Sequence, residues 1–141
     1  MNVRAFHGVE GNQSNLEVVR LLFERFGEGG IEAALEGLDE ELVIEIPADL
    51  SAEPDSYHGH EGARRYFAGF DGMIEDVRYE AIELIPAGER VIAHIRLGGR
   101  GVTSGLEVEL EAFVVHELAC GKVTRMRPYA DLESARAAAG A

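Results

Sequence analysis

The chain has one cysteine, no tryptophan and four prolines, and its basic residues number half its acidic ones. A single cysteine, Cys120, excludes an intrachain disulfide. It sits between two strand-like runs, and we read it as a turn residue in a reducing compartment rather than as a nucleophile. Thirteen Lys and Arg against 26 Asp and Glu give a net charge of −13. That balance argues against nucleic acid and against anionic membrane surfaces, since both need a basic face. No apolar run approaches the ~18 residues that a membrane helix needs. The first thirteen residues, MNVRAFHGVEGNQ, lack the apolar stretch of a signal peptide, so a cytoplasmic protein is expected. There is no internal repeat and no low-complexity segment apart from an Ala-rich end. The 141 residues fit one domain, expected over 14–141 behind a short tail at 1–13.

What is present is clearest between Gly105 and Asp131. Glu107, Glu109 and Glu111 alternate with Val108, Leu110 and Ala112, and the run turns apolar through Phe113-Val114-Val115. After Cys120-Gly121, a second run sets Val123, Arg125, Arg127 and Tyr129 against Thr124 and Met126. Period-two alternation marks strands with two unlike faces, and a glycine between them marks a hairpin. Pro128 removes a ladder donor, so it belongs at a bulge or near the strand's end.

Upstream, Ser14-Asn15-Leu16-Glu17 matches a capping box and predicts a helix start. Leu16, Val19, Leu22, Phe23 and Phe26 then recur at helical spacing. Gly27-Glu28-Gly29-Gly30 ends that helix, and a short second one runs through Ile31, Ala34, Leu35 and Leu38. Leu42 to Ile46 reads as a strand, and residues 47–57 as a polar loop. Tyr57-His58-Gly59-His60-Glu61-Gly62 leads into a third helix whose aromatic face is Tyr66, Phe67 and Phe70. His58 and His60 give two ligands where a metal site wants three or four, so no metal is expected. Val77–Pro86 and Arg90–Leu97 are two more strands. A two-residue loop at Ala87-Gly88 puts Tyr79, Ala81 and Glu83 on one face with Ile92, His94 and Arg96. The opposite face carries Ile82, Leu84, Val91, Ala93, Ile95 and Leu97. Asp131 caps a last short helix, Ala135 to Ala139.

Helices gathered on one side of a mostly antiparallel meander define an α+β fold. With the Tyr57–Gly62 motif, Ser104-Gly105 between strands, Gly121-Lys122-Val123 and Tyr129-Ala130-Asp131, the chain from Ser14 to Ala139 resembles the NTF2-like superfamily, in its SnoaL-like and ketosteroid-isomerase-like branch. The resemblance implies a curved sheet wrapped around three N-terminal helices into a cone, a pocket inside, and a homodimer through the sheet. It does not fix a reaction, because the superfamily holds isomerases, cyclases, dehydratases, epoxide hydrolases and binding domains. Glu45 stands on the first long strand, where the family places an acidic base. The Asp-Arg-Asp set of the epoxide hydrolases has no clear counterpart here.

Two readings of the site follow. If the polar face lines the cone, His94, Glu111, Arg127 and Tyr129 converge there. His94 held by Glu111 would move a proton alpha to a carbonyl, while Arg127 and Tyr129 stabilise the enolate. Tyr57, His60, Tyr66, Phe67, Tyr79 and Arg96 would bind the small apolar substrate, and no cofactor is needed. If instead the apolar set lines the interior, the Glu and Arg residues are cross-strand pairs facing water or a second subunit. The protein is then a ligand-binding or dimerisation module. His116 falls on the apolar face, where a lone histidine is more often a core residue than a catalyst.

Overall fold

The computed structural model describes residues 7–47 and 55–140. The expected loop therefore lies mostly outside the described residues, as does the start of the expected tail.

The first helix, α1 (His7–Ala34), begins before the capping-box motif, which lies inside it. Asn15 Nδ2 instead donates to the Glu89 carbonyl at 2.7 Å and ties the helix to a distant hairpin. Gly30 breaks α1 with φ 72° and ψ −159°, a conformation that glycine adopts readily, and the piece after it ends at Ala34, short of the second helix expected through Leu38. A single 3-10 turn, Leu35–Gly37, leads into strand β1 (Leu38–Ile46). A short strand that the alternation did not announce, β2 (Asp55–His58), pairs with β1. Helix α2 (Gly59–Asp71) follows. The meander is β3 (Ile74–Ala87), β4 (Arg90–Gly101), β5 (Glu107–Ala119) and β6 (Lys122–Tyr129). Helix α3 (Leu132–Ala139) closes the chain, capped by Asp131 Oδ1, which accepts from the Ser134 amide at 2.7 Å.

The six strands form one mixed sheet in the order β2-β1-β6-β5-β4-β3. Only the β1–β6 contact is parallel among these pairs. Cys120 and Gly121, with φ of 53° and 78°, make the two-residue turn between β5 and β6. Both central residues at positive φ match the twist of the flanking strands.

One face of the sheet packs against α1 and α2. Val91, Ala93, Ile95, Leu97, Val114, Val123 and Met126 meet Val19 and Leu22 of α1 and Ala63 and Phe67 of α2 in one core. The opposite face is covered at one end by α3, where Ala135 and Ala139 pack on Ile92 and Val115. The apolar set thus faces the helices, and the set containing His94 and Arg96 faces away.

The β3–β4 hairpin departs from the expected register in one consequential way. Its loop is Gly88-Glu89, with Ala87 paired to Arg90. Glu83 pairs with His94 as the alternation requires, but the register shifts between Ala81 and Glu83. Beyond this bulge Ala81 pairs with Ile95 and Tyr79 with Leu97. One extra residue flips every later side chain to the other face. Tyr79 and Ala81 therefore join the helix-facing side, and Ile82, expected inside, is 42% exposed.

Tyr79 becomes the centre of an aromatic cluster. Its ring centroid lies 5.6 Å from Phe23, 5.4 Å from Phe26, 5.2 Å from Phe67 and 6.5 Å from Phe70. Truncating a buried aromatic of this kind costs about 3–5 kcal/mol. Tyr79→Ala is expected to lose stability in that range in urea unfolding, whereas Tyr79→Phe, which keeps the ring contacts, should stay within about 1 kcal/mol of the parent.

Candidate functional site

A pocket of about 510 Å³ opens between α2 and the helix-facing side of the sheet. Its walls come from Ile46 of β1, Tyr57 of β2, Tyr66, Gly69 and Phe70 of α2, Met73, Tyr79 of β3, Ile95 and Leu97 of β4, Leu110, Glu111, Ala112 and Val114 of β5, and Pro128 of β6. A volume of this size and an apolar, aromatic lining are those of a small-molecule site.

The glycines of the Tyr57–Gly62 motif explain how β2 and α2 present their aromatic rings. Gly59 has φ 68°, and a Cβ there would meet the Glu40 carbonyl oxygen at 3.0 Å. A Cβ on Gly62 would stand 2.8 Å from the Tyr57 carbonyl carbon. The first turn of α2 thus presses directly on Tyr57. The Tyr57 and Tyr66 rings then meet edge to face at 5.4 Å, and the Arg65 guanidinium covers Tyr57 at 5.0 Å.

Burial raises the Tyr66 hydroxyl to about 12, with the neighbouring Tyr57 adding to the effect. Tyr79, fully buried, is pushed up well beyond an ordinary phenol, again chiefly by burial and then by Tyr66. Both phenols stay protonated at neutral pH and are hydrogen-bond donors in apolar surroundings.

Of the binding residues expected from sequence, Tyr57, Tyr66 and Tyr79 line this pocket. Phe67 lies deeper, in the core and on the wall of a second, inner chamber of about 20 Å³. His60 Nε2 donates to the Leu38 carbonyl at 2.8 Å and holds the start of α2 against β1. Arg96 stands on the outer face, with Nε 3.7 Å from Glu109.

The four expected catalytic residues share the outer face. His94 Nε2 donates to Glu111 Oε1 at 2.8 Å, and its ring stacks on Phe113 at 4.3 Å. Arg127 Nη1 reaches Glu45 at 3.3 Å, and its guanidinium lies 5.5 Å from the Tyr129 ring. His94, Arg127 and Tyr129 are not among the residues lining the pocket, whereas Glu111 is. Glu45 also points outward. Arg125 Nη2 at 2.6 Å and Nε at 3.2 Å grip its carboxylate, which these bonds and the Arg127 contact hold below the usual carboxylate range. Among the described residues no three His, Cys, Asp or Glu side chains group as a metal site, and no helix is long and apolar enough to cross a membrane.

The alternation underrates His116. It is completely buried on the helix-facing side of β5, with its Nδ1 donating to the Val114 carbonyl at 3.1 Å and its Nε2 without a partner. Desolvation lowers its pKa from 6.5 to about 4, against a smaller opposing pull from the Val114 and Val91 carbonyls. The only signal in sequence is its place in the inward series Leu110, Ala112, Val114, His116. Met73, 63% exposed beside the pocket, carries no sequence signal at all.

The SnoaL-like domain profile matches residues 19–126. The chain belongs to the SnoaL-like family. No curated protein matches it. Among solved structures it is similar to a putative SnoaL-like polyketide cyclase from Jannaschia sp. CCS1, at 21% identity and a TM-score of 0.70, covering 100% of this chain and 99% of that one. TerC, co-crystallised with polyporic acid, is 20% identical with a TM-score of 0.70, covering 91% and 99%. A protein with a ketosteroid isomerase-like fold from Catenulispora acidiphila, in complex with trimethylamine, is 18% identical with a TM-score of 0.67, covering 88% and 92%. At these identities the likeness is one of fold, and the fold is NTF2-like.

The neutral state of His116 has a measurable signature. Above pH 6.5 the imidazole is uncharged in the folded and the unfolded chain alike. Between pH 6.5 and about 4 only the unfolded chain takes up the proton, so stability falls as pH falls. The full shift is worth on the order of 3 kcal/mol. Urea unfolding at pH 7.5 and 4.5 is expected to show a loss in the parent that exceeds the loss in His116→Leu by about that amount.

Proposed function

We propose that the pocket binds an apolar, carbonyl-bearing small molecule, with Tyr66 and Tyr79 donating hydrogen bonds to its carbonyl and the surrounding aromatic rings gripping its body. One observation carries this reading: three tyrosines, Tyr57, Tyr66 and Tyr79, stand on the wall of about 510 Å³ of mostly apolar space. The polyketide cyclase name of one structural neighbour, and the small molecules bound to two others, agree with a site of this class.

Glu111 favours a second, catalytic reading of the same pocket. It is the one acidic residue on the pocket wall among the described residues, and its carboxylate accepts from His94. This reading requires the Glu111 carboxylate to leave His94 on the outer face and enter the pocket, where it would remove a proton alpha to the carbonyl and return it. The phenols carry the negative charge that develops on oxygen, work for which one donor is worth about 10²–10³ in rate. Arg127 and Tyr129 have no part in this scheme, because Arg127 is committed to Glu45 on the outer face. That outer face, beyond the patch covered by α3, is where we propose the homodimer contact implied by the resemblance. A dimer mass in light scattering, reduced to a monomer by Arg96→Glu on that exposed face, would support it.

A thermal-shift panel of polycyclic ketones tests the binding reading. A ligand at a hundredfold its Kd stabilises the fold by about 2.7 kcal/mol, a clear rise in Tm. Tyr66→Phe and Tyr79→Phe should each weaken a hit about three- to tenfold while leaving the apo Tm nearly unchanged. A panel in which no ketone raises the Tm would refute the binding reading. For the catalytic reading, Glu111→Gln should bind the hit yet lose turnover by at least about 10². Equal turnover in the two proteins would leave binding alone.

A further inference from the structure

We propose that the pocket takes a ketone with a long alkyl tail, and that the tail leaves the pocket mouth and lies on an apolar ledge of Met73, Leu110, Leu106 and Val102. This inference rests on the binding reading above and adds the length and shape of the ligand.

Exposure marks the ledge. These four side chains are between 49% and 68% exposed, the highest values for large apolar residues among the described residues. Apolar side chains scattered singly over a surface are ordinary, whereas a contiguous group marks a contact site. The four are contiguous. The Val102 amide donates to the Met73 carbonyl at 3.0 Å, which joins the β4–β5 turn to the segment after α2. The Gly101 amide, one residue before Val102, donates to the Leu106 carbonyl at 2.8 Å. On β5, Glu109 pairs with Arg96 on the outer face, so its neighbours Val108 and Leu110 point to the other side. Continued alternation gives Leu106 that side too.

The ledge is the outward continuation of the pocket. Met73 and Leu110 belong to the pocket wall, and both are more than half exposed, so the pocket is open at this end. A molecule inside it touches the same two side chains that begin the ledge. From Leu110 to Leu106 the strand runs about 13 Å. The phenols of Tyr66 and Tyr79 claim the carbonyl end of the ligand, which leaves its apolar end for the mouth.

The dimensions favour a tail over a macromolecule. Four side chains present well under the ~800 Å² that each partner of a stable dimer buries. A net charge of −13 disfavours docking on an anionic membrane. A tail needs only a narrow strip. Its other end is already held in the pocket, so its contact with the ledge is intramolecular and costs little further freedom.

The probes are 2-heptanone and 2-tridecanone, titrated into the full chain at pH 7 by calorimetry. At about fourfold per buried methylene, the parent should bind the longer ketone at least about a hundredfold more tightly. Val102→Ser combined with Leu106→Ser changes two residues that do not line the pocket. This double variant should weaken 2-tridecanone about tenfold and leave 2-heptanone within about twofold. Unchanged binding of 2-tridecanone, or an equal loss for both ketones, overturns the inference. If the double variant does not fold, methyl spectra of the parent decide. The Val102 and Leu106 methyl resonances should move with 2-tridecanone and stay with 2-heptanone, and unmoved methyls overturn the inference. A dimer mass in light scattering that the double variant abolishes would make the ledge a subunit contact, which also overturns it. Binding of both ketones without any effect at the ledge refutes only the tail's path, whereas binding of neither counts against the pocket reading and takes this inference with it.

Discussion

The arrangement depends on one irregularity in a strand. Without the bulge at Ile82, strict alternation would set Tyr79 beside His94 and Arg96 on the outer face. With it, Tyr79 turns inward and becomes the ring on which Phe23, Phe26, Phe67 and Phe70 assemble. The same turn places a phenol between the large pocket and the inner chamber. Exposure of Ile82 is the cost, and it is small beside the burial of an aromatic ring. Core packing and site geometry are therefore one feature of this chain.

Charge is segregated with equal economy. The Glu and Arg residues of the meander stay where solvent screens them and where cross-strand partners are available. Glu45 is held by Arg125 and Arg127 across the parallel β1–β6 contact, an ion pair that joins positions eighty or more residues apart. Arg64 makes a similar link to Glu32, across α2 and α1. Such exposed pairs are screened by solvent and add little to stability. Among the described residues, the buried polar groups of the core are phenolic Tyr79 and the His116 imidazole, both neutral at working pH.

Much of this was legible in the residues. Helical spacing from Leu16 to Phe26, the glycine break before Ile31, the Cys120-Gly121 turn and the Asp131 cap are local signals, and the structure contains each of them. The sheet's inward face was legible as a set of apolar residues, but its orientation toward the helices was not, because both faces of the meander offered a coherent cavity. Tyr79 was misassigned because a bulge leaves no mark in the alternation of RYEAIELIP. The capping box misled because the helix already begins at His7, and Glu17 pairs with Arg20 one turn on. His116 was read as a core residue, which its burial supports, while its bare nitrogen and the chamber beside it depend on contacts among six elements.

The parallel pairing of β1 with β6 has a consequence for how the chain reaches its fold. Leu38 lies beside Val123 and Ile44 beside Met126, partners more than eighty positions apart. The four-strand meander closes through successive hairpins and needs only its own neighbours. The amino-terminal helices and β1, by contrast, must wait as an unfinished half until the last strand exists to receive them. Loop closure on that scale slows folding, so ordering should pass from the carboxy-terminal sheet to the amino-terminal roof, the reverse of the direction of synthesis.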